Sequence, residues 1–428
     1  MTLTEDTPRV RATPAQLLGV TLGNALEFYD FLVFSFFAVQ IGQCFFPATS
    51  PQSSLLAALA TFGAGFLMRP LGAFVIGGLG DRLGRRPMLI LSFALIGIAN
   101  LVVAITPSYD AIGLAAPLIV IVCRLLQGFA LGGEVGASTA FLAEVAPPHR
   151  RGAYISLQFV GHGLSMLAAG LIGVALAAAL DDAALTAWGW RIAMGVGVAI
   201  VPIGLALRRT LPETLRAEVS AQGRPSFASY RGIAIFAFLT LLAGTIATYV
   251  LGYMTTYAKT VLLLPSSVSF GATVAVGLAY TIGAVVAGLG SDRLGRRPFM
   301  ILPMAFGAAA IIPGFWLLTH WPDAATLYAV SFVLRLVLVI ASTAAFITLT
   351  EAFPLRVRSG AVAVVYAVAT SVFGGTTQFV VAWLTGITGD PLSPAWYMLA
   401  ATLIGLLAML FVRETAPVKA SNASGQVE

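Results

Sequence analysis

Apolar residues run through this chain in long blocks, and the polar residues that interrupt them gather into short punctuation. Twelve blocks are long enough for a helix across a hydrocarbon core, which takes about 20 apolar residues. They lie near 15–45, 53–80, 87–106, 111–145, 153–180, 189–208, 232–258, 266–290, 298–319, 324–353, 360–388 and 395–412. None breaks into the alternating ten-residue segments, roughly, of a membrane barrel. The pattern predicts an all-α membrane protein with twelve transmembrane helices. Its 44 glycines suit helices in close contact within lipid, where small residues let backbones approach.

The second half of the chain repeats the first. GLGDRLGRRP (Gly78 to Pro87) returns as GLGSDRLGRRP (Gly288 to Pro298), which sets Asp81 against Asp292. FLAEVAPPHRRG (Phe141 to Gly152) is echoed by TLTEAFPLRVRSG (Thr348 to Gly360), and LPET at Leu211 by RET at Arg413. Six helices per repeat keep both halves in the same orientation, so two parallel six-helix halves are expected, an arrangement found in transporters. The expected division is a cytoplasmic N-terminal tail at 1–14, bundles at 15–210 and 231–413, a cytoplasmic linker at 211–230 and a cytoplasmic C-terminal tail at 414–428.

Composition agrees, with 58% hydrophobic and 10% charged residues and a mean hydropathy of +0.92, against roughly 25% charged in a soluble domain. Of the 24 Lys and Arg residues, 19 fall in the termini and the loops after helices 2, 4, 6, 8 and 10. Positive charge favours the cytoplasmic side, so both termini are expected there. The same bias accounts for the net charge of +6 without any nucleic acid. The first 15 residues hold no short apolar core with a small-residue cleavage site, so no removable signal peptide is expected. Cys44 and Cys123 form neither a disulfide framework nor a ligand spacing and read as packing residues; no metal or other cofactor is expected. With no HExxH, GxSxG or phosphate loop, the chain does not read as an enzyme.

Six charges interrupt the apolar blocks: Glu27 and Asp30 in GNALEFYDF (Gly23 to Phe31), then Arg69, Arg124, Glu134 and Arg335. At about 1.5 Å per helical residue they share one layer, roughly 15 to 24 Å deep. An ionisable group at that depth costs at least about 2.5 kcal/mol on insertion, so it pairs or faces a water-filled path. Buried pairs that merely tie helices together often add little net stability, whereas a midplane layer is where a transporter keeps its site. Arg69 and Arg335 offer forks for bidentate carboxylate contacts, and Lys259, near the outer end of helix 7, offers charge to attract an anion. Gln158, His162 and Ser165 follow one face of helix 5, and Tyr249, Tyr253 and Tyr257 one face of helix 7. The tyrosines fit either packing at an interface or substrate contact. His162 fits either a proton relay or a satisfied packing residue; His149, beside Arg150 in a loop, has no functional reading.

The repeated loop, a glycine followed four residues on by Asp-Arg-x-Gly-Arg-Arg, resembles the signature of the major facilitator superfamily. It reads as Gly77, Asp81, Arg82, Gly84, Arg85 and Arg86, and again as Gly288, Asp292, Arg293, Gly295, Arg296 and Arg297. The resemblance spans about residues 17 to 415 and implies the major facilitator fold. It also implies cytoplasmic ion-pair networks that latch the outward-facing state, joined by Glu144 and Arg151 in one half and Glu351 and Arg358 in the other. A purely topogenic loop explains the arginines but neither the Asp, the Gly nor the repeat. Gly84 and Gly295 suit a tight turn with positive φ, and the Asp suits a helix N-terminus.

GNALEFYDF, FLMRPLGAFVIGGLGDRLGRRP and RLLQGFALGGE together resemble the metabolite:H+ symporter family, whose members import citrate, 2-oxoglutarate, shikimate, or proline and betaine. With FFP at Phe45, TEAFPLRVRSG and FGG at Phe373, the pattern is most similar to bacterial citrate and tricarballylate proton symporters. This resemblance implies a proton-coupled importer in the bacterial inner membrane, acting as a monomer on a small organic anion. In the related sugar–proton symporters a helix-4 arginine, twenty residues before the terminal acid, pairs with a helix-1 aspartate; Arg124 and Asp30 match those places. Glu27, about 60° round the helix from Asp30, and Glu134 are the other candidates for the coupled proton. Arg335 departs from the citrate carriers, which have no basic residue there. The alternatives are a 2-oxoglutarate, shikimate or osmolyte carrier and, from another class, a drug/proton efflux antiporter, which three midplane arginines fit poorly.

Overall fold

The computed structural model describes residues 12–83, 85–132, 134–209, 231–353 and 355–417. Within them, the side chains at 77–78, 80–86, 89, 134–137, 140, 200, 203–209, 355–360 and 363 lie outside the description. Gly84, the expected linker at 211–230 and most of both expected tails lie outside it altogether. Among the described residues all regular structure is helical.

The first span is α1 (Pro14–Phe36), continued by α2 (Ala38–Phe45); the second is α3 (Pro51–Leu67), continued by α4 (Arg69–Leu83); the third is α5 (Arg85–Ile105). After the short α6 (Tyr109–Ile112), α7 (Ala115–Leu131) and α8 (Glu134–Val145) make the fourth span, and α9 (Arg151–Ala179) the fifth. The single turn α10 (Asp182–Ala184) precedes the sixth, α11 (Trp190–Arg209). In the second half, α12 (Arg231–Gly252) with α13 (Met254–Thr260), α14 (Ser266–Leu294) and α15 (Arg296–His320) make spans seven to nine. Spans ten to twelve are α16 (Ala324–Ala352), α17 (Leu355–Ala369) with α18 (Gly375–Thr388), and α19 (Ser393–Leu410). Helix starts follow local chemistry: Thr13 and Gln16 cap each other ahead of α1, and the side chains of Ser50 and Asp323 cap α3 and α16.

Five of the predicted blocks are interrupted helices rather than continuous ones. In the second span Pro70 supplies no N–H to the carbonyl of Phe66 and crowds it, and the N–H of Met68 turns to the Gly65 carbonyl at 3.4 Å. The fourth breaks at Gly132, and the seventh at Tyr253, next to Gly252. In the eleventh, a π turn at Thr370–Gly374 leads into Gly375. The break at Phe37 has neither proline nor glycine to account for it.

Close approaches between backbones decide how the helices meet. In the first half, a Cβ on Gly128 of α7 would stand 1.6 Å from the Gly65 carbonyl oxygen of α3, and one on Gly132 would stand 2.1 Å from that of Arg69. This crossing holds the backbones of Arg69 and Arg124 against one another's helices. Between the halves, α9 lies antiparallel against α14 along their length, with Gly152 near Gly288, Gly163 near Thr281, and Gly173 near Phe270. On the other side Gly63 of α3 meets Gly375, the first residue of α18. Gly128→Ala is therefore expected to lower the melting temperature of the detergent-purified protein by forcing α3 from α7, an overpacking of about 1–3 kcal/mol or more. Gly19→Ala, where nothing stands within 4 Å, is the control; equal melting of the two variants would contradict this packing account.

Candidate functional site

Asp30 is buried at 1% exposure on the face of α1 that meets α5 and α11. Asn100 Nδ2 donates to its Oδ1 at 3.2 Å and also to the Met194 carbonyl at 3.1 Å. Room for the carboxylate comes from Gly197, where a Cβ would stand 2.0 Å from Asp30 Oδ1. Beside it, the Tyr29 hydroxyl donates to the Ala193 carbonyl at 2.9 Å.

The Asp30–Arg124 ion pair expected from the family spacing is not made in this structure. Arg124 Nη1 donates to Gln127 Oε1 at 2.6 Å and Nη2 to the Phe31 carbonyl at 3.3 Å, with the guanidinium 4.4 Å from the centre of the Phe31 ring. The cause is helical phase: neighbours on a helix point about 100° apart, so Phe31 meets α7 while Asp30 turns to α11. Glu27, also 1% exposed, lies within electrostatic reach of Tyr366, as does Arg69. Glu134 opens α8 with its side chain outside the description.

Arg69, at the first turn after the Met68 break, is 4% exposed and lies 4.1 Å from the Phe66 ring centre and 4.7 Å from that of Phe31. Tyr249 stands within reach of both Arg69 and Arg124. Arg335 Nη1 donates to Thr248 Oγ1 at 3.1 Å, and its guanidinium lies 3.7 Å over the Tyr280 ring. Arg69 Nε and Nη2, Arg124 Nε and Arg335 Nε are buried with no hydrogen-bond partner.

Tyr280 stacks on His162 with ring centres 5.0 Å apart at 10°, and His162 packs on Phe28 at 4.2 Å. His162, Thr248, Tyr249, Tyr280, Tyr366 and Thr370 border a cavity of about 50 Å³, enough for one or two waters. Gln158 is elsewhere: its Nε2 donates to Asn24 Oδ1 at 2.9 Å and its Oε1 accepts from Ser138 Oγ at 3.1 Å, tying α9 to α1 and α8. Ser165 turns back to the His162 carbonyl at 2.6 Å. The predicted helix-5 stripe is thus one cavity residue with structural neighbours. The tyrosine stripe divides as well. Tyr249 borders the cavity, Tyr253 is buried at the helix break, and the Tyr257 hydroxyl donates to the Pro391 carbonyl at 2.8 Å.

At the end that carries the repeated loops, Asp292 accepts from the backbone N–H groups of Gly152 and Ala153, both at 2.9 Å, so its charge faces the N-terminus of α9 in the opposite half. Arg296 Nη2 binds Asp292 Oδ1 at 2.7 Å and Glu351 Oε1 at 2.9 Å. Gly295, at φ 103°, makes the turn into α15. The N-terminus of α15 is held in turn by Glu414, which accepts from Arg296 N at 2.8 Å and Arg297 N at 3.1 Å. Burial acts upward on the Glu414 carboxyl, but the N–H groups of Arg296, Ala416, Arg297 and Thr415 together keep it below its usual range. Arg293 and Glu144 are exposed, and Arg151 is half-buried at the start of α9. The side chains of Asp81, Arg82, Arg85, Arg86 and Arg358 lie outside the described residues, and Gly77 is described by its backbone alone.

Lys259 lies at the opposite end of the bundle, away from the cavity. Its Nζ meets Asp182 Oδ1 at 3.0 Å, and Ser266 Oγ donates to the same oxygen at 2.5 Å. The hydroxyl of Ser266, then Lys259, holds the Asp182 carboxyl below its ordinary range despite partial burial, so this contact between halves persists until the pH falls below that range. Deeper in, Gln378 Oε1 accepts from Ser35 Oγ at 2.8 Å, joining α18 to α1. Sequence reasoning missed Asn24, Asn100, Gln127, Tyr280, Gln378 and Glu414. A search for amides as well as charges inside the apolar blocks finds the first three and Gln378.

Two six-helix halves, contacts between them at both ends and a buried charged layer midway define a secondary transporter. The chain belongs to the Sugar (and other) transporter family, which it matches over residues 17–228 and 224–422, within the major facilitator superfamily. It is 38% identical over 415 residues to a citrate-proton symporter of Salmonella typhi, covering 93% of this chain and 94% of that one. It is 33% identical over 406 residues to an alpha-ketoglutarate permease of Escherichia coli (strain K12), covering 92% and 93%. The proton:xylose symporter XylE of E. coli shares the fold, with a TM-score of 0.75 at 19% identity and coverage of 94% and 96%.

Proposed function

We propose that the protein imports a small organic acid, citrate or a related di- or tricarboxylate, together with protons by alternating access. The observation that carries this reading is the set of buried guanidiniums of Arg69, Arg124 and Arg335, each with at least one N–H lacking an acceptor. An unpaired buried donor on a charged group is costly, and a carboxylate fits such a fork in two parallel bonds. The likeness to a citrate-proton symporter and to an alpha-ketoglutarate permease supports the same substrate class. Asp30 is the proposed proton carrier. The Asn100 donor on Oδ1 suits either protonation state, because an acid proton can reside on the other oxygen. The protein would act as a monomer in the bacterial inner membrane, with bundles at 15–210 and 231–413, both termini cytoplasmic, and neither nucleic acid nor enzymatic chemistry involved.

Counterflow of radiolabelled citrate in proteoliposomes tests this. Tricarballylate and 2-oxoglutarate should compete, and glycine betaine should not. Arg69→Lys and Arg124→Lys keep the charge but lose the fork, so the apparent affinity should weaken about tenfold. Unchanged affinity in both variants removes them from the site, and competition by betaine alone replaces the organic acid with an osmolyte.

A further inference from the structure

Arg335 stands apart from the other buried charges. Among the described residues of the second half the acids are Asp292, Asp323, Glu351, Asp390 and Glu414, and all lie near helix ends or beyond them. Arg335 lies deep in α16 at 2% exposure. Its own half therefore offers it no midplane counter-charge, and a guanidinium does not shed its proton to become neutral. Its contacts are Thr248 Oγ1 and the Tyr280 ring, and its Nε has no partner. Tyr280 in turn stacks on His162 and His162 on Phe28, so rings from the first half help fix the surface on which the guanidinium lies. A residue merely filling space has no need of a planar cation held flat with an N–H left open.

The first half presents the complementary arrangement. Arg69 and Arg124 both lie against the Phe31 ring, at 4.7 and 4.4 Å, and both retain N–H groups without acceptors. Tyr249 stands within electrostatic reach of both and of Tyr280, and it borders the same cavity as Tyr280 and His162. His162, on the same wall, stands within electrostatic reach of Arg335 and of Arg69, so a cation of each half lies near the cavity.

We propose that Arg335 is a second carboxylate subsite, supplied by the half opposite the one that supplies Arg69 and Arg124, so that the transported anion must carry at least two carboxylates, one for each half. A dicarboxylate satisfies both poles at once and draws the halves together. A monocarboxylate or a zwitterion leaves one buried cation unanswered. The inference rests on the organic-acid reading above and adds the residue that holds a second carboxylate and the need for one on each half.

Binding of the unbranched dicarboxylates from malonate to adipate, of tricarballylate and of monocarboxylates of matched length, titrated calorimetrically at neutral pH, provides the test. The parent should bind the best dicarboxylate at least about tenfold more tightly than its monocarboxylate counterpart, as expected for an added charge-assisted contact, with an optimum in chain length. Arg335→Gln should reduce that ratio to within about twofold, and Arg335→Lys should fall between. A parent with no chain-length optimum and no preference for two carboxylates overturns the inference, as does an Arg335→Gln protein that keeps the preference. If Arg335→Gln fails to fold, the parent series alone decides. Should no carboxylate bind while betaine or proline does, the organic-acid reading falls with it; tight citrate binding with no preference for two carboxylates removes only the second subsite.

Discussion

Asp30→Asn protein should lose proton-driven accumulation of citrate and keep citrate counterflow. Asparagine has nearly the shape of aspartate, its Oδ1 can still accept from Asn100, and Gly197 leaves the same space. The substitution therefore removes the titratable group with little change in packing. Net symport requires the carrier to release and rebind a proton in each cycle, whereas counterflow exchanges substrate without that step. Glu27→Gln should be milder. Two outcomes count against the assignment: an Asp30→Asn protein that still concentrates citrate, or an inactive Glu27→Gln beside an active Asp30→Asn, which would move the proton to Glu27. Gly197→Ala should reproduce part of the Asp30→Asn defect, since its Cβ would occupy the place of the carboxylate oxygen.

Arg296→Gln should open the end that carries the repeated loops, proposed above to be cytoplasmic. Arg296 is fully buried and bridges Asp292 and Glu351, themselves 6% and 4% exposed. Removing the cation leaves two buried carboxylates without it, a loss of about 3–5 kcal/mol where a buried pair is broken. Much of that loss falls on the closed arrangement, because Asp292 is the residue that reaches the N-terminus of α9 in the other half. A differential of roughly 3 kcal/mol shifts the balance of conformations by about 100-fold. In a background without Cys44 and Cys123, a cysteine at Ser156, buried against Gly288, should react much faster with an impermeant thiol reagent applied from the cytoplasmic side. Equal labelling of the variant and its parent would show that this network does not hold the halves closed.

The spans were legible because a membrane helix needs a long apolar run, and length alone separates such runs from the punctuation. The repeat made the turn into α15 legible: Gly295 has positive φ and Asp292 lies at a helix N-terminus, as the residue types require. The interruptions were harder to read. A helix broken within an apolar block leaves hydropathy unchanged, and of the five breaks the one after Met68 has a nearby proline to announce it. The direction of Asp30 was illegible for a different reason. Spacing places a residue at a depth, but one position along a helix turns it by about 100°, and only the neighbours of α1 decide which way that is. Glu414 was visible as part of an echoed RET, yet its contact with the start of α15 joins residues 118 apart in sequence.

The coupling of substrate to protons is the centre of the account, and one measurement reaches it directly. Proteoliposomes containing the protein and a trapped pH-sensitive dye are given external citrate at equal pH on both sides, with membrane potential clamped. The lumen should acidify as citrate enters, Asp30→Asn vesicles should show no such acidification, and a protonophore should abolish the signal. Citrate entry in parent vesicles with no movement of protons would contradict the account.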